Sequence, residues 1–171
     1  MTVWRQLRAI GPLPFMGAVV VPATILALTG SVDIGWGLPA AVAWLPVVAG
    51  SALIAVGLLL MYRTISLFAS FGEGTLAPWD PTQRLVVRGP YRHVRNPMIS
   101  GVLSILLGES ALLGSPPLLL WFLAFFAVNA LWMPLVEEPG LERRFGDHYL
   151  LYKRAVPRWI PRRTPWKGLE A

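Results

Sequence analysis

At 171 residues the chain is one domain by length. Hydrophobic residues make up 55% and charged residues 14%, with a mean hydropathy of +0.57; an ordinary soluble domain has about 25% charged, so the composition defines an integral membrane class. The absence of cysteine excludes disulfides and thiolate metal sites.

Four apolar stretches follow one another, at 13–29, 40–61, 98–113 and 118–136. Each is close to the roughly 20 residues that cross about 30 Å of hydrocarbon. Pro22, Pro46 and Pro134 fall within or at the end of such stretches, where membrane helices tolerate proline if neighbours satisfy the freed carbonyls. The first stretch has the greasy core of a signal peptide, but its length and the lack of a small-x-small site make it a span.

The cations sort cleanly onto this pattern. Arg5 and Arg8 precede the first span; Arg63, Arg84, Arg88, Arg92 and Arg95 lie between the second and third; Arg143, Arg144, Lys153, Arg154, Arg158, Arg162, Arg163 and Lys167 follow the fourth. Connections 30–39 and 114–117 carry none. The positive-inside rule makes the cation-bearing side cytoplasmic, predicting an all-α membrane protein with about four spans and both termini in the cytoplasm. The net charge of +6 thus serves topology and anionic headgroups, at about 1 kcal/mol per cation, and does not predict nucleic-acid binding.

The second connection, 63–96, is long and predicted to be functional. Residues 64–71 continue the second helix past the membrane surface, Gly72-Glu73-Gly74 breaks it, and Ala77-Pro78-Trp79-Asp80-Pro81 forms a rigid turn. Leu85-Val86-Val87 reads as a short extended run ending at Gly89-Pro90. Beyond the last span, Pro139 suits the first turn of a helix, with Glu138 as its cap. Leu141, Phe145, Tyr149 and Tyr152 recur on one face, predicting an amphipathic helix at the interface or folded back over the spans.

Zinc chemistry has poor support, since His93 and His148 are far apart without ligand spacing; His148 reads as a surface residue. Glu109 reads as touching water at the far end of its span, and Asn129 as bonding a neighbouring helix. The remaining polar group is Tyr91, Arg92, His93, Arg95, Asn96, Glu137, Glu138 and Arg158, at or just beyond span ends, where two segments can converge.

Within it, Gly89-Pro90-Tyr91-(x)3-Arg95-Asn96-Pro97-(x)3-Gly101 precedes Glu137-Glu138-(x)2-Leu141-(x)3-Phe145-Gly146-(x)2-Tyr149-(x)2-Tyr152-(x)3-Val156-Pro157-Arg158. This pair of motifs resembles the isoprenylcysteine carboxyl methyltransferases and their phospholipid methyltransferase relatives, over about residues 78–161. The resemblance implies a single membrane domain, 1–171, that transfers methyl from S-adenosylmethionine to a lipid-like or small hydrophobic acceptor. Site segments 78–101 and 137–161 follow from it. Carried over, the cofactor-binding residues are Leu85, Val86, Tyr91, Asn96, Pro97 and Glu137, and the catalytic candidates are Arg95, Asn96 and Arg158, with no metal. A carboxylate such as Glu137 suits the cofactor ammonium, and an Arg suits its carboxylate. Alignment of donor and acceptor can supply much of the rate of such an in-line displacement.

The family's usual Arg-His-Pro-x-Tyr is Arg95-Asn96-Pro97-Met98-Ile99 here. Asn96 keeps a hydrogen bond but does not titrate near neutrality, and Ile99 lacks the hydroxyl. Met133 stands where the carboxyl methyltransferases place a substrate-binding Arg, which argues against a prenylcysteine carboxylate as acceptor. The alternative is a non-catalytic membrane scaffold that keeps the fold.

Overall fold

The structure, a computed structural model, describes residues 11–71 and 85–168. Arg5, Arg8 and Arg84, the Gly72-Glu73-Gly74 break and the 77–81 turn lie outside the described residues. Every regular element among the described residues is helical. A π-helical stretch, Gly11–Val20, runs into α1 (Val21–Thr29), which stops where Gly30 takes φ +59° and its N–H reaches Leu26 O at 2.8 Å. Helix α2 is Trp44–Phe71, so the second apolar stretch does continue past residue 61. Helices α3 (Pro97–Leu113) and α4 (Pro116–Trp132) follow. A π-helical turn, Met133–Glu137, leads from α4 into α5 (Glu138–Phe145), and α6 (Asp147–Ala155) comes last. The wide turn holds Pro134, which has no N–H to give a helical ladder.

Trp44–Leu67 and Pro116–Phe145 are long and apolar enough to cross a bilayer; Pro14–Thr29 and Pro97–Leu113 are shorter apolar helices. Large side chains on the long helices lie uncovered, with Leu58 57%, Leu120 68% and Leu131 64% exposed. Lipid covers such a surface at no cost, whereas water does not. About 20 residues span the hydrocarbon, so a span beginning at Pro116 ends near Leu135, before Glu137 and α5.

The single helix expected after the last span is two helices. Gly146 adopts φ +53° and ends α5, a conformation open to glycine and costly to other residues. The periodic face survives the break because both helices contribute to one core: Tyr149, Tyr152 and Val156 are buried, with Leu141, Phe145, Leu85, Val87 and Trp166 packed against them.

The chain divides into two compact units, 11–59 with 100–128, and 60–99 with 129–168 among the described residues. In the first, α2 and α3 touch backbone to backbone. A Cβ on Gly50 would lie 2.6 Å from Gly108 O, and one on Gly57 2.5 Å from Gly101 O. The two levels occur in opposite order along the two helices, so the pair is antiparallel. Small residues that admit this approach are how helices associate where lipid removes the hydrophobic drive. Trp121 on α4 donates to Gly17 O at 3.0 Å. The cation-free connection 30–39 meets the C-terminal end of α3, through Asp33 N–H to Leu113 O at 2.9 Å and Trp36 Nε1 to Ala111 O at 3.0 Å. Gly114, at φ +60°, is required there because a Cβ would run into Asp33 O. Glu109 is half-buried, with its Oε2 enclosed and without a hydrogen-bond partner among the described residues.

Candidate active site

The second unit holds every described residue of the two motifs up to Ile99 and from Asn129 onward. Residues 85–88 run without regular structure, and Arg88 is extended. Gly89 then turns the chain with φ +51°, against Leu67 of α2, into a 3₁₀ turn, Gly89–Arg92. Pro97 is fully buried at the first position of α3, where its missing N–H costs nothing.

Between them stands Arg95, whose guanidinium meets the carboxylate of Glu138. Arg95 Nη1 donates to Glu138 Oε1 at 2.9 Å, and Arg158 Nε donates to the same oxygen at 2.6 Å. Lys153 Nζ lies 3.0 Å from Glu138 Oε2, an ion pair rather than an aligned hydrogen bond, and bonds Glu142 Oε1 at 2.6 Å. The side chains of Glu138 and Arg95 are only 4% and 9% exposed. Burial alone would raise the Glu138 pKa; the hydrogen bond from Arg158, the close ammonium of Lys153 and the charge of Arg95 reverse this and hold it below the usual carboxylate range. Three cations on two carboxylates leave the cluster with a positive excess, and Arg95 Nε is buried with no partner.

Tyrosines line the same unit. Tyr152 Oη donates to Tyr91 O at 2.7 Å, and Tyr149 Oη lies 3.5 Å from Arg95 Nη1. Burial, then Tyr152, then Glu137 hold the Tyr91 hydroxyl well above its ordinary pKa, and burial does the same for Tyr152. Both remain protonated donors at neutral pH.

Among the residues singled out from sequence, Arg95 and Arg158 are brought together on Glu138. Tyr91 and Glu137 are near enough to influence each other's charge, and Glu137 is exposed. Leu85 packs on the tyrosine core and Val86 is buried. Asn96 is half-buried beside Arg95, and His148 is exposed. Glu138 is not the helix cap expected: no side-chain capping bond is made at the start of α5, because its carboxylate is taken by three cations. Lys153 and Tyr149 were missed. Lys153 had no local signal, lying 15 residues past its partner, and Tyr149 stood in the second motif and on the periodic face without being read as a partner of Arg95.

Apolar helices with uncovered flanks and a buried charge cluster joining the segments that enter α3 and leave α4 define a membrane protein with a polar site just outside its apolar helices. The chain belongs to the phospholipid methyltransferase family, whose profile matches residues 45–148. No curated protein matches it.

Proposed function

We propose that the chain transfers a methyl group from S-adenosylmethionine to a lipid-like acceptor at the cytoplasmic face of the membrane. The observation that carries this reading is Glu138, which ties Arg95 of the first motif to Arg158 of the second. The residues present fit the cofactor. The partnerless Arg95 Nε is a donor for a carboxylate, and exposed Glu137, which makes no ion pair among the described residues, suits an ammonium. When bound, the cofactor supplies an electrophilic methyl on a sulfonium and departs as the neutral thioether.

Arg95 is held rigid by Glu138, so it meets an anion without first losing rotamer freedom. Tyr91, protonated, orients by donating rather than by taking a proton. Asn96 itself removes no proton, so an amine acceptor reacts as the neutral amine and its proton leaves to water. Buried Met133 offers no cation for an acceptor carboxylate; a phospholipid headgroup amine agrees with the family.

Four spans with cytoplasmic termini are supported by the pairing of connections. The cation-free connection 30–39 bonds the C-terminal end of α3, and the cation-bearing segments before α3 and after α4 bond each other, which agrees with spans that keep the cations on one side. Calorimetric titration of purified protein with S-adenosylhomocysteine tests the reading, with Glu137→Ala alongside. Heat from the wild type and weakened binding in the variant are expected; no heat from the wild type would count against it. Binding without any methylated lipid would favour the scaffold reading, which draws on Asn96 and Ile99.

A further inference from the structure

The described residues beyond α6 form no helix or strand, yet they are bonded to the site segment at Pro157, Arg162 and Trp166. Arg95 N–H donates to Pro157 O at 2.9 Å. His93 and Arg162 form a reciprocal pair: Arg162 N–H donates to His93 O at 2.9 Å, and His93 Nδ1 lies 2.8 Å from Arg162 O. A carbonyl only accepts, so Nδ1 carries the hydrogen. Arg92 and Trp166 form a second reciprocal pair, with Trp166 N–H to Arg92 O at 2.9 Å and Arg92 Nε to Trp166 O at 2.6 Å. Arg162 Nη1 also donates to Ala155 O at 2.8 Å, fastening the strap to the last carbonyl of α6. The Trp166 ring stands 5.7 Å from that of Tyr152, whose hydroxyl holds Tyr91 O.

We infer that residues 157–166, which lie outside the family match at 45–148, form a strap that fixes the conformation of residues 91–95. Trp166 and Tyr152 act as positioning residues for the site. The 3₁₀ turn satisfies the amides of Tyr91, His93 and Val94 from within, but it offers nothing to the amide of Arg95. Among the described residues that amide is satisfied only by the strap, and it belongs to the residue whose guanidinium carries the site. Trp166 covers Tyr152, so the strap acts on the segment twice: through backbone bonds at 92, 93 and 95, and through the Tyr152 hydroxyl at 91. A tail bonded at one point would fray; one bonded at 157, 162 and 166 does not move without releasing the segment. The inference rests on the cofactor reading above, because it makes cofactor affinity the property the strap controls.

The test uses full-length protein in lipid nanodiscs, with Trp166→Ala, Trp166→Phe and Tyr152→Phe. Amide hydrogen exchange reads the segment and S-adenosylhomocysteine calorimetry reads the site. In Trp166→Ala, exchange across residues 91–95 accelerates about tenfold or more while residues 100–113 are unchanged. The ligand binds about tenfold more weakly, and Trp166→Phe, which keeps a ring against Tyr152, recovers to within about threefold. Tyr152→Phe loosens residue 91 and leaves the strap amides of Arg162 and Trp166 protected. Unchanged exchange at 91–95 in Trp166→Ala overturns the strap. Faster exchange with unaltered ligand affinity overturns its role in positioning. A wild type that binds no ligand, with exchange still accelerated in the variant, overturns the cofactor reading and leaves the strap in place.

Discussion

Replacing Glu138 by Gln removes the one charge on which Arg95, Arg158 and Lys153 converge. Arg95 and Arg158 touch the same carboxylate oxygen, at 2.9 and 2.6 Å. Their donor nitrogens are therefore at most about 5.5 Å apart, a repulsion of at least about 3 kcal/mol at an effective dielectric near 20. In the native protein the carboxylate outweighs that repulsion; in Glu138→Gln nothing does. Removing one member of a buried charge group costs about 3–5 kcal/mol, and Glu138, with its side chain 4% exposed, is in that class. Lys153 is not: its side chain is 36% exposed, and solvent-screened pairs contribute about 0–1 kcal/mol. Thermal unfolding in detergent should therefore rank Glu138→Gln far below wild type and Lys153→Gln close to it. Equal midpoints for the two variants, or a Glu138→Gln within about 1 kcal/mol of wild type, would refute the reasoning.

The same group sets an acid limit. The Glu138 pKa is below its ordinary value, so its contribution is complete above the unfolded carboxylate pKa of about 4.3 and is lost as pH falls through the folded value. The melting midpoint of the wild type should fall below about pH 4, and that part of the fall should be missing in Glu138→Gln. Gly57→Ala drives a Cβ to 2.5 Å from Gly101 O; overpacking of about 1–3 kcal/mol outweighs a helix-propensity gain of about 1 kcal/mol, and melting is lowered. Gly140→Ala in α5 meets nothing within 4 Å, so the propensity term acts alone and stability rises by up to about 1 kcal/mol. In Glu137→Ala, calorimetry should show weaker S-adenosylhomocysteine binding with an unchanged melting midpoint, because the side chain is exposed and makes no ion pair among the described residues.

Hydropathy and charge placement were enough to locate the apolar helices, because lipid as solvent demands an uninterrupted apolar run and the cations mark its flanks. The helix pairing was written in the chain as well: Gly50 and Gly57 against Gly101 and Gly108 have the same spacing in both helices. That pattern was overlooked because single glycines in apolar runs look like mere interruptions. The break at Gly146 was hidden because Leu141, Phe145, Tyr149 and Tyr152 keep helical spacing across it, while the core that enforces the spacing belongs to two helices. That Arg95 and Arg158 belong to one polar cluster was legible from the motifs. Glu138 was not, since an acid before Pro139 reads as a cap, and only the tertiary approach of three cations from distant segments gives it another role. The strap from 157 to 166 left no trace in periodicity, since it bonds through backbone atoms that every sequence provides.

The most direct measurement is methyl transfer itself. Purified protein in nanodiscs of phosphatidylethanolamine and phosphatidylglycerol is supplied with S-adenosylmethionine labelled in its methyl group, and the lipid fraction is extracted and counted. Label should enter the amine-bearing lipid with the wild type and be lost in Arg95→Gln. A wild type that binds S-adenosylhomocysteine yet leaves every lipid of a total membrane extract unlabelled would contradict methyl transfer to a lipid acceptor.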